Sequence, residues 1–214
     1  MKKMILSMLV SFFVPIAFVF AAEAPEIVEM PIEQSELRES LAREYAQIHY
    51  GRTETTIVPQ AVVVHWTAAD TWESTYNYFY SPERSDGTLN VASHFLVGRD
   101  GTIYRLTDET AMNRHAIGYN WCAIGIENVG GVDSEEDLTY EQLVSNIRLI
   151  RYLHEKYPTI KYIFGHYQQD EARTSGLYIE HVEGYRSEKS DPGPYFMREL
   201  RKNLSEEGLI FFPE

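Results

Sequence analysis

The chain has 214 residues, 44% hydrophobic and 24% charged, with 19 basic against 32 acidic side chains and a net charge of −13. That length and composition suit one globular domain with a sizeable core. An acidic chain without a basic stripe argues against nucleic acid and against adhesion to anionic surfaces. The single cysteine, Cys122, excludes an internal disulfide and any multi-cysteine metal cluster.

Met1-Lys-Lys3 leads into an apolar run as far as Phe20, and Ala21-Ala22 follow. A positive start, an apolar centre and small residues at the end read as a secretory signal peptide over residues 1–21. The competing reading is an uncleaved anchor, because the run approaches the span of a bilayer. Either way the chain is expected to be exported, to the periplasm or beyond the cell, with no stable membrane insertion once the signal is removed. Residues 22–57 form an acidic segment and a helix. In that helix, Glu33 to His49, the residues Leu37, Leu41, Tyr45 and Ile48 fall at i, i+4, i+8 and i+11.

The main domain is expected over residues 58–204, with 205–214 as a tail. Ala61 to Trp66 is a valine-rich run without polar interruption until His65, as for a strand buried on both faces. Asp70 or Thr71 caps a helix to Tyr80, which is rich in aromatic rings that suit core packing or a ligand groove. Val91–Val97 and Thr102–Leu106 flank Gly98-Arg-Asp-Gly101 and predict a β-hairpin. Ala123 to Val129 is a further strand, interrupted by Glu127. Thr139 and Gln142 form a capping box for a helix to Tyr157, with Tyr140, Leu143, Val144, Ile147 and Ile150 as its apolar face. Ile160–Phe164 is a strand and Phe196–Leu204 a closing helix, while Gln168–Glu188 reads as the least ordered stretch. Strands and helices mix without strict alternation. The expected fold class is therefore α/β, a single domain with a central mixed β-sheet and helices packed on both faces.

Two apolar runs end in histidines, His65 and His166, and Asp191 stands before a proline further on. Two imidazoles and a carboxylate supply three ligands and leave a fourth zinc position for water, the count of a catalytic site rather than a closed structural one. A lone histidine after a strand is ordinarily a packed core residue, so the set matters more than any member. Glu127 breaks an apolar strand, and a buried carboxylate needs a partner or a raised pKa.

Six strings in order then carry a resemblance: Val62-Val-Val-His65-Trp-Thr-Ala68, Ser93-His-Phe-Leu-Val-Gly-Arg-Asp-Gly101-Thr-Ile-Tyr104, Asn113-Arg-His115-Ala-Ile-Gly-Tyr-Asn120, Ile124-Gly-Ile-Glu127, Gly165-His166 and Lys189-Ser-Asp191-Pro-Gly-Pro194. Over residues 58–204 the chain resembles the zinc-dependent N-acetylmuramoyl-L-alanine amidases, a group that includes phage lysozyme-like amidases, anhydro-muropeptide amidases and animal peptidoglycan recognition proteins. The resemblance implies zinc held by His65, His166 and Asp191, with Glu127 and Lys189 catalytic and His115 and Asn120 in contact with substrate. Aspartate in place of cysteine as third ligand, and Ser93 in place of a family tyrosine, point to the glutamate-using branch. The implied activity is hydrolysis of the amide between the lactyl group of N-acetylmuramic acid and L-alanine, in peptidoglycan or muropeptides, by a monomer. A non-catalytic peptidoglycan-binding module is the alternative. The interval from His166 to Asp191 is longer than expected for the compact enzymes, and its insertion over 167–186 offers Asp170 and His181 as further ligand candidates. His94 is read as structural and Cys122 as a small core residue.

Overall fold

Valine and isoleucine runs with period-2 alternation build the centre of the molecule, and four amphipathic helices cover it. The computed structural model describes residues 24–213, so the signal-peptide expectation for 1–21 lies outside the described residues. In chain order the elements are β1 (Ile27–Glu29), α1 (Glu36–Tyr50), β2 (Ala61–Trp66), α2 (Trp72–Tyr80), β3 (Phe95–Val97), β4 (Ile103–Arg105), β5 (Ala123–Asn128), α3 (Tyr140–Lys156), β6 (Tyr162–Gly165), α4 (Pro194–Asn203) and β7 (Ile210–Phe211). The strands form one seven-stranded sheet in the order β1-β4-β3-β5-β2-β6-β7. Among the described strands the β3–β4 hairpin is antiparallel and the other strand pairings are parallel. Among the described residues no helix is long and apolar enough to cross a membrane.

Alternate residues of each strand divide between two faces. Val62 and Val64, Phe95 and Val97, and Ile124 and Ile126 pack with Leu149, Ile150 and Leu153 of α3 and with Phe196, Met197 and Leu200 of α4. The opposite face carries Ala61, Val63, Ala123 and Phe164 against Tyr119, Ala172 and Phe212, and Leu96 against Phe79 of α2. Trp72 of α2 stacks on Tyr104 of β4 with ring centroids 4.8 Å apart. Helices therefore lie on both faces of a mixed sheet, and the α2 face is the one that His65 and Glu127 share.

Several elements differ from the sequence expectation in an informative way. Helix α1 starts at Glu36, because the Ser35 side chain accepts from the Arg38 backbone N–H, and Gly51 closes it in the left-handed region. Its buried stripe is rotated: Leu37 and Ile48 are exposed, whereas Arg38 and His49 are buried. Arg38 donates to the carbonyls of Glu33, Phe79 and Tyr80 and so ties α1 to the last turn of α2. Helix α3 has its expected capping box, but Tyr140 is exposed, and Gln142 and Asn146 are fully buried. Residues 91–94 precede the hairpin as irregular chain rather than as strand. Strands β1 and β7 bring the N-terminal segment and the C-terminal tail into the sheet as its two edges.

The stretch 168–188, expected to be the least ordered, is laced to the body. Residues Glu171–Ser175 form a short 3-10 helix. Backbone hydrogen bonds join Ile179 to Gly118 and His181 to His49. The Glu180 carboxylate meets His49 Nδ1 at 2.9 Å, and Arg114 donates to the Tyr185 hydroxyl at 2.8 Å.

Candidate metal centre and active site

The parallel register assembles the site. His65 and Glu127 are paired positions at the carboxyl ends of β2 and β5. Val64 pairs with Gly165, so His166, one residue further, emerges beside His65. Clefts at the carboxyl ends of parallel strands are where open α/β sheets bind ligands. Asp191 arrives in the turn before α4, and its carbonyl accepts from the Tyr167 backbone N–H at 2.9 Å. A Cβ on Gly165 would lie 2.8 Å from Pro192 and from Tyr167 and 2.9 Å from Met197. Glycine there lets the Asp191 turn reach the end of β6.

Buried amides hold the His65 end of β2. Asn128 donates to the His65 carbonyl at 3.0 Å, and Asn146 of α3 donates to the Asn128 side-chain oxygen at 2.6 Å. Gln142 donates to the carbonyls of Val97 and Val129 at the ends of β3 and β5. These polar residues explain the rotated stripe of α3: each buried amide satisfies a carbonyl or amide that would otherwise be buried unpaired. Sequence periodicity counted only apolar residues and passed over them; a run of Asn and Gln at helical spacing is the signal that was available.

His65 Nδ1, His166 Nδ1 and Asp191 Oδ2 form a triangle with sides of 3.0, 3.0 and 3.1 Å. The three residues are 2%, 6% and 8% exposed. Neutral imidazoles bring at most one proton each to this point, too few to bridge all three contacts. Tetrahedral zinc with bonds of 2.0–2.1 Å separates its ligands by about 3.3 Å, so the residues present fit that ion in kind and in arrangement. Among the described residues no other group of three His, Cys, Asp or Glu converges in this way. Asp170 instead pairs with Arg173 at 2.9 Å, and His181 is exposed.

Glu127 lies beside the triangle. Its Oε2 is buried and has no hydrogen-bond partner among the described residues. Burial pushes its carboxyl up to about 7 and Asp191 adds to the rise, while His65 and Lys189 pull the other way. Burial, with the neighbouring His65, lowers His166 to about 4. His115 is lowered well below the ordinary imidazole value, by burial first and then by His65 and His94, which leaves it neutral.

A cavity of about 490 Å³ opens over the cluster. Glu127 and Lys189 line it together with the three converging residues, and Thr75, Tyr78 and Phe79 of α2 supply another part of its wall. Of the α2 rings, Tyr78 is 55% exposed on this groove, whereas Trp72 and Tyr76 pack against β4 and Pro31. A second cavity of about 290 Å³ shares Val91, Arg114, His115, His166 and Lys189 with the first and adds Arg84 and Arg186, with no carboxylate in its lining.

The remaining expected contacts sit differently. His115 is half-buried, with its ring against His65. Asn120 is fully buried. Its oxygen accepts from the backbone N–H groups of His115 and Ala116 at 2.8 and 2.7 Å, and its amino group donates to the hydroxyls of Tyr45 and Tyr50. That amide holds the His115 loop, and Asn120 also lines the second cavity. His94 accepts from the Gly125 N–H at 2.9 Å and bonds the Ala111 carbonyl at 2.8 Å, both inside the core. Cys122 is fully buried. Arg114, Thr75 and Tyr78 line the groove without having been singled out individually; the aromatic richness of α2 had pointed to the helix but not to which ring faces in.

Fold and site together define a class: a mixed α/β domain carrying a buried two-histidine, one-carboxylate cluster at the floor of an open groove. The model of the family described as N-acetylmuramoyl-L-alanine amidase matches residues 54–194, and the chain belongs to that family. It is 33% identical over 91 residues to the endolysin of Escherichia phage T7, a match covering 42% of this chain and 58% of the endolysin. It is 44% identical over 52 residues to the endolysin of Enterobacteria phage T3, covering 24% of this chain and 34% of that protein. The matches thus span about half the length of these relatives or less. Among solved structures, the endolysin N-acetylmuramoyl-L-alanine amidase LysCS from Clostridium intestinale URNW is similar with a TM-score of 0.54 at 25% identity, covering 86% of this chain and 98% of that one. Drosophila PGRP-LB shares the fold, with a TM-score of 0.55 at 17% identity over 86% of this chain and 96% of its own.

Proposed function

We propose that this chain is a zinc-dependent N-acetylmuramoyl-L-alanine amidase, which hydrolyses the bond between the lactyl group of N-acetylmuramic acid and L-alanine in peptidoglycan or its soluble fragments. The observation that carries the reading is the convergence of His65, His166 and Asp191 beside Glu127, one carboxyl oxygen of which is buried with no partner among the described residues. In this reading the two imidazoles and the Asp191 carboxylate hold zinc. Bound there, zinc supplies a Lewis acid that polarises the scissile carbonyl and makes a nearby water more acidic.

Glu127, whose carboxyl titrates near neutrality, takes the proton from the attacking water and returns it to the alanine nitrogen as the amine leaves. The Lys189 ammonium, on the rim of the same cavity, stabilises negative charge on the carbonyl oxygen. Tyr78 offers an amphipathic ring to the sugar side of the groove. Arg84, Arg114 and Arg186 around the adjoining cavity suit the free carboxylates of a peptide stem. A module that only binds has no use for a buried carboxyl without a partner, which favours the enzyme over the non-catalytic alternative. The protein acts as an exported monomer, consistent with its leader-like first residues and acidic charge.

Incubation with purified muropeptides, followed by mass spectrometry, tests the reaction. Release of sugars bearing a free lactyl carboxylate together with peptides beginning at L-alanine is the expected result. Cuts within the stem peptide, or no cut at all, would exclude it.

A further inference from the structure

His65 and His166 are both placed to ligate through Nδ1, but their outer nitrogens are treated differently. His166 Nε2 is buried and has no partner among the described residues. His65 Nε2 meets His115 Nδ1 at 3.1 Å, and His115 Nε2 in turn meets the Ala123 carbonyl at 3.1 Å. A carbonyl oxygen can only accept, so His115 Nε2 is an N–H. In the neutral ring the His115 Nδ1 then bears a lone pair and can only accept as well. The proton between the two rings therefore belongs to His65 Nε2, which in a neutral His65 ring leaves Nδ1 bare.

We infer that His115 is a positioning residue that fixes the tautomer of His65, so that the Nδ1 lone pair points at the spot where His166 Nδ1 and Asp191 Oδ2 converge. The inference rests on the metal-site reading above. A bare nitrogen 3.0 Å from a carboxylate oxygen is a repulsive contact unless a cation lies between them, so the relay holds the neutral His65 ring in the tautomer that a metal ion needs. Outer partners of ligating histidines set ring orientation and tautomer, and are ordinarily carboxylates or carbonyls. Here an imidazole is interposed, and the carbonyl of Ala123 anchors it.

Three further features are built around the relay. A Cβ on Gly125 would lie 2.8 Å from the His115 ring, so glycine in β5 admits the ring against the strand. The Asn120 side chain holds the His115 backbone. The hydroxyls of Tyr45 and Tyr50 from α1 hold Asn120. His115, and Asn120 behind it, thus act on the ring of His65.

The test compares the full-length wild type with His115→Leu and His115→Asn. Leucine fills similar space without an acceptor, whereas the asparagine oxygen falls near the position of Nδ1. Zinc affinity by chelator competition should weaken 10–100-fold in His115→Leu and recover most of that loss in His115→Asn. Proton–nitrogen correlation spectra of the histidine rings in metal-free wild type should show His65 protonated at Nε2, with that preference lost in His115→Leu. Unchanged zinc affinity in His115→Leu, equal weakening in both variants, or a His65 protonated at Nδ1 in the wild type would each overturn the role of His115. A wild type that binds no zinc, while its His65 is still protonated at Nε2, would overturn the metal site and leave the tautomer relay standing.

Discussion

Glu127 occupies a position from which a carboxylate would ordinarily be excluded, at the end of an apolar strand with one oxygen buried and unpaired. Its identity in sequence, the one polar residue in Ala123-Ile-Gly-Ile-Glu127, already marked it. Its protonation behaviour depends on what the fold places around it. In the metal-free protein the folded value is about 7 against an ordinary 4.5, so native protein keeps a proton that unfolded chain has released between those values. The stabilising contribution is complete below about pH 4.5 and is lost as pH rises through 7, up to about 3 kcal/mol in all. The depressed histidines His94, His115 and His166 act in the opposite sense, losing stability as pH falls. Urea unfolding of chelator-treated wild type and Glu127→Gln from pH 4 to 8 isolates the Glu127 part as their difference; two parallel curves would contradict it. Catalytically, Glu127→Gln should keep zinc and lose a factor on the order of a hundred to ten thousand in turnover. Asp191→Ala should lose zinc as well as rate, and metal analysis alongside kinetics separates the two.

At the scale of elements, the central strands were legible because short apolar runs bounded by turn residues mark buried strands, and caps such as Thr139 with Gln142 are local events; the edge strands β1 and β7 were not. Which helix face turns inward was less so. On α1 and α3 the buried stripes include Arg38, His49, Gln142 and Asn146, residues whose burial is stabilised by carbonyl, amide and carboxylate partners far away in sequence. Hydrophobicity counted along one helix cannot see those partners. The junction of β6 with the Asp191 turn depends on the absence of a side chain. Gly165→Ala should force Pro192, Tyr167 or Met197 to move, costing roughly 1–3 kcal/mol and displacing Asp191 from the two histidines. A thermal melt and a zinc titration on this variant should both shift; an unchanged zinc affinity would mean that the turn yields without moving its carboxylate.

At the scale of the whole molecule, the converging atoms of His65, His166 and Asp191 come from β2, from the end of β6 and from the α4 turn, so the cluster exists only once the sheet has closed. An ion that binds native protein alone stabilises it by about 2.7 kcal/mol at a hundred times its dissociation constant. Chelation should therefore lower the melting temperature, and zinc should restore it in proportion to the logarithm of its free concentration. A melting temperature indifferent to chelator would count against the cluster as a metal site. The long insertion, which composition alone marked as loose, is held by His49, Gly118 and Arg114; its polar residues find partners on α1 and the 113–120 loop that only the folded chain provides.

The sequence by itself determined the α/β class and the order of the elements from β2 to α4, and it marked His65, His166, Asp191 and Glu127 as candidates, because each is a local pattern: an apolar run, a cap, a charged residue where none is expected. Only the tertiary structure decided that β2, β5 and β6 lie side by side in one register, so that these residues meet. It also decided that the His115 ring meets His65 and that the Asn120 side chain holds the backbone of His115. Hydrogen-bond partners fifty or more residues apart are set by packing geometry, and no periodicity along the chain encodes them.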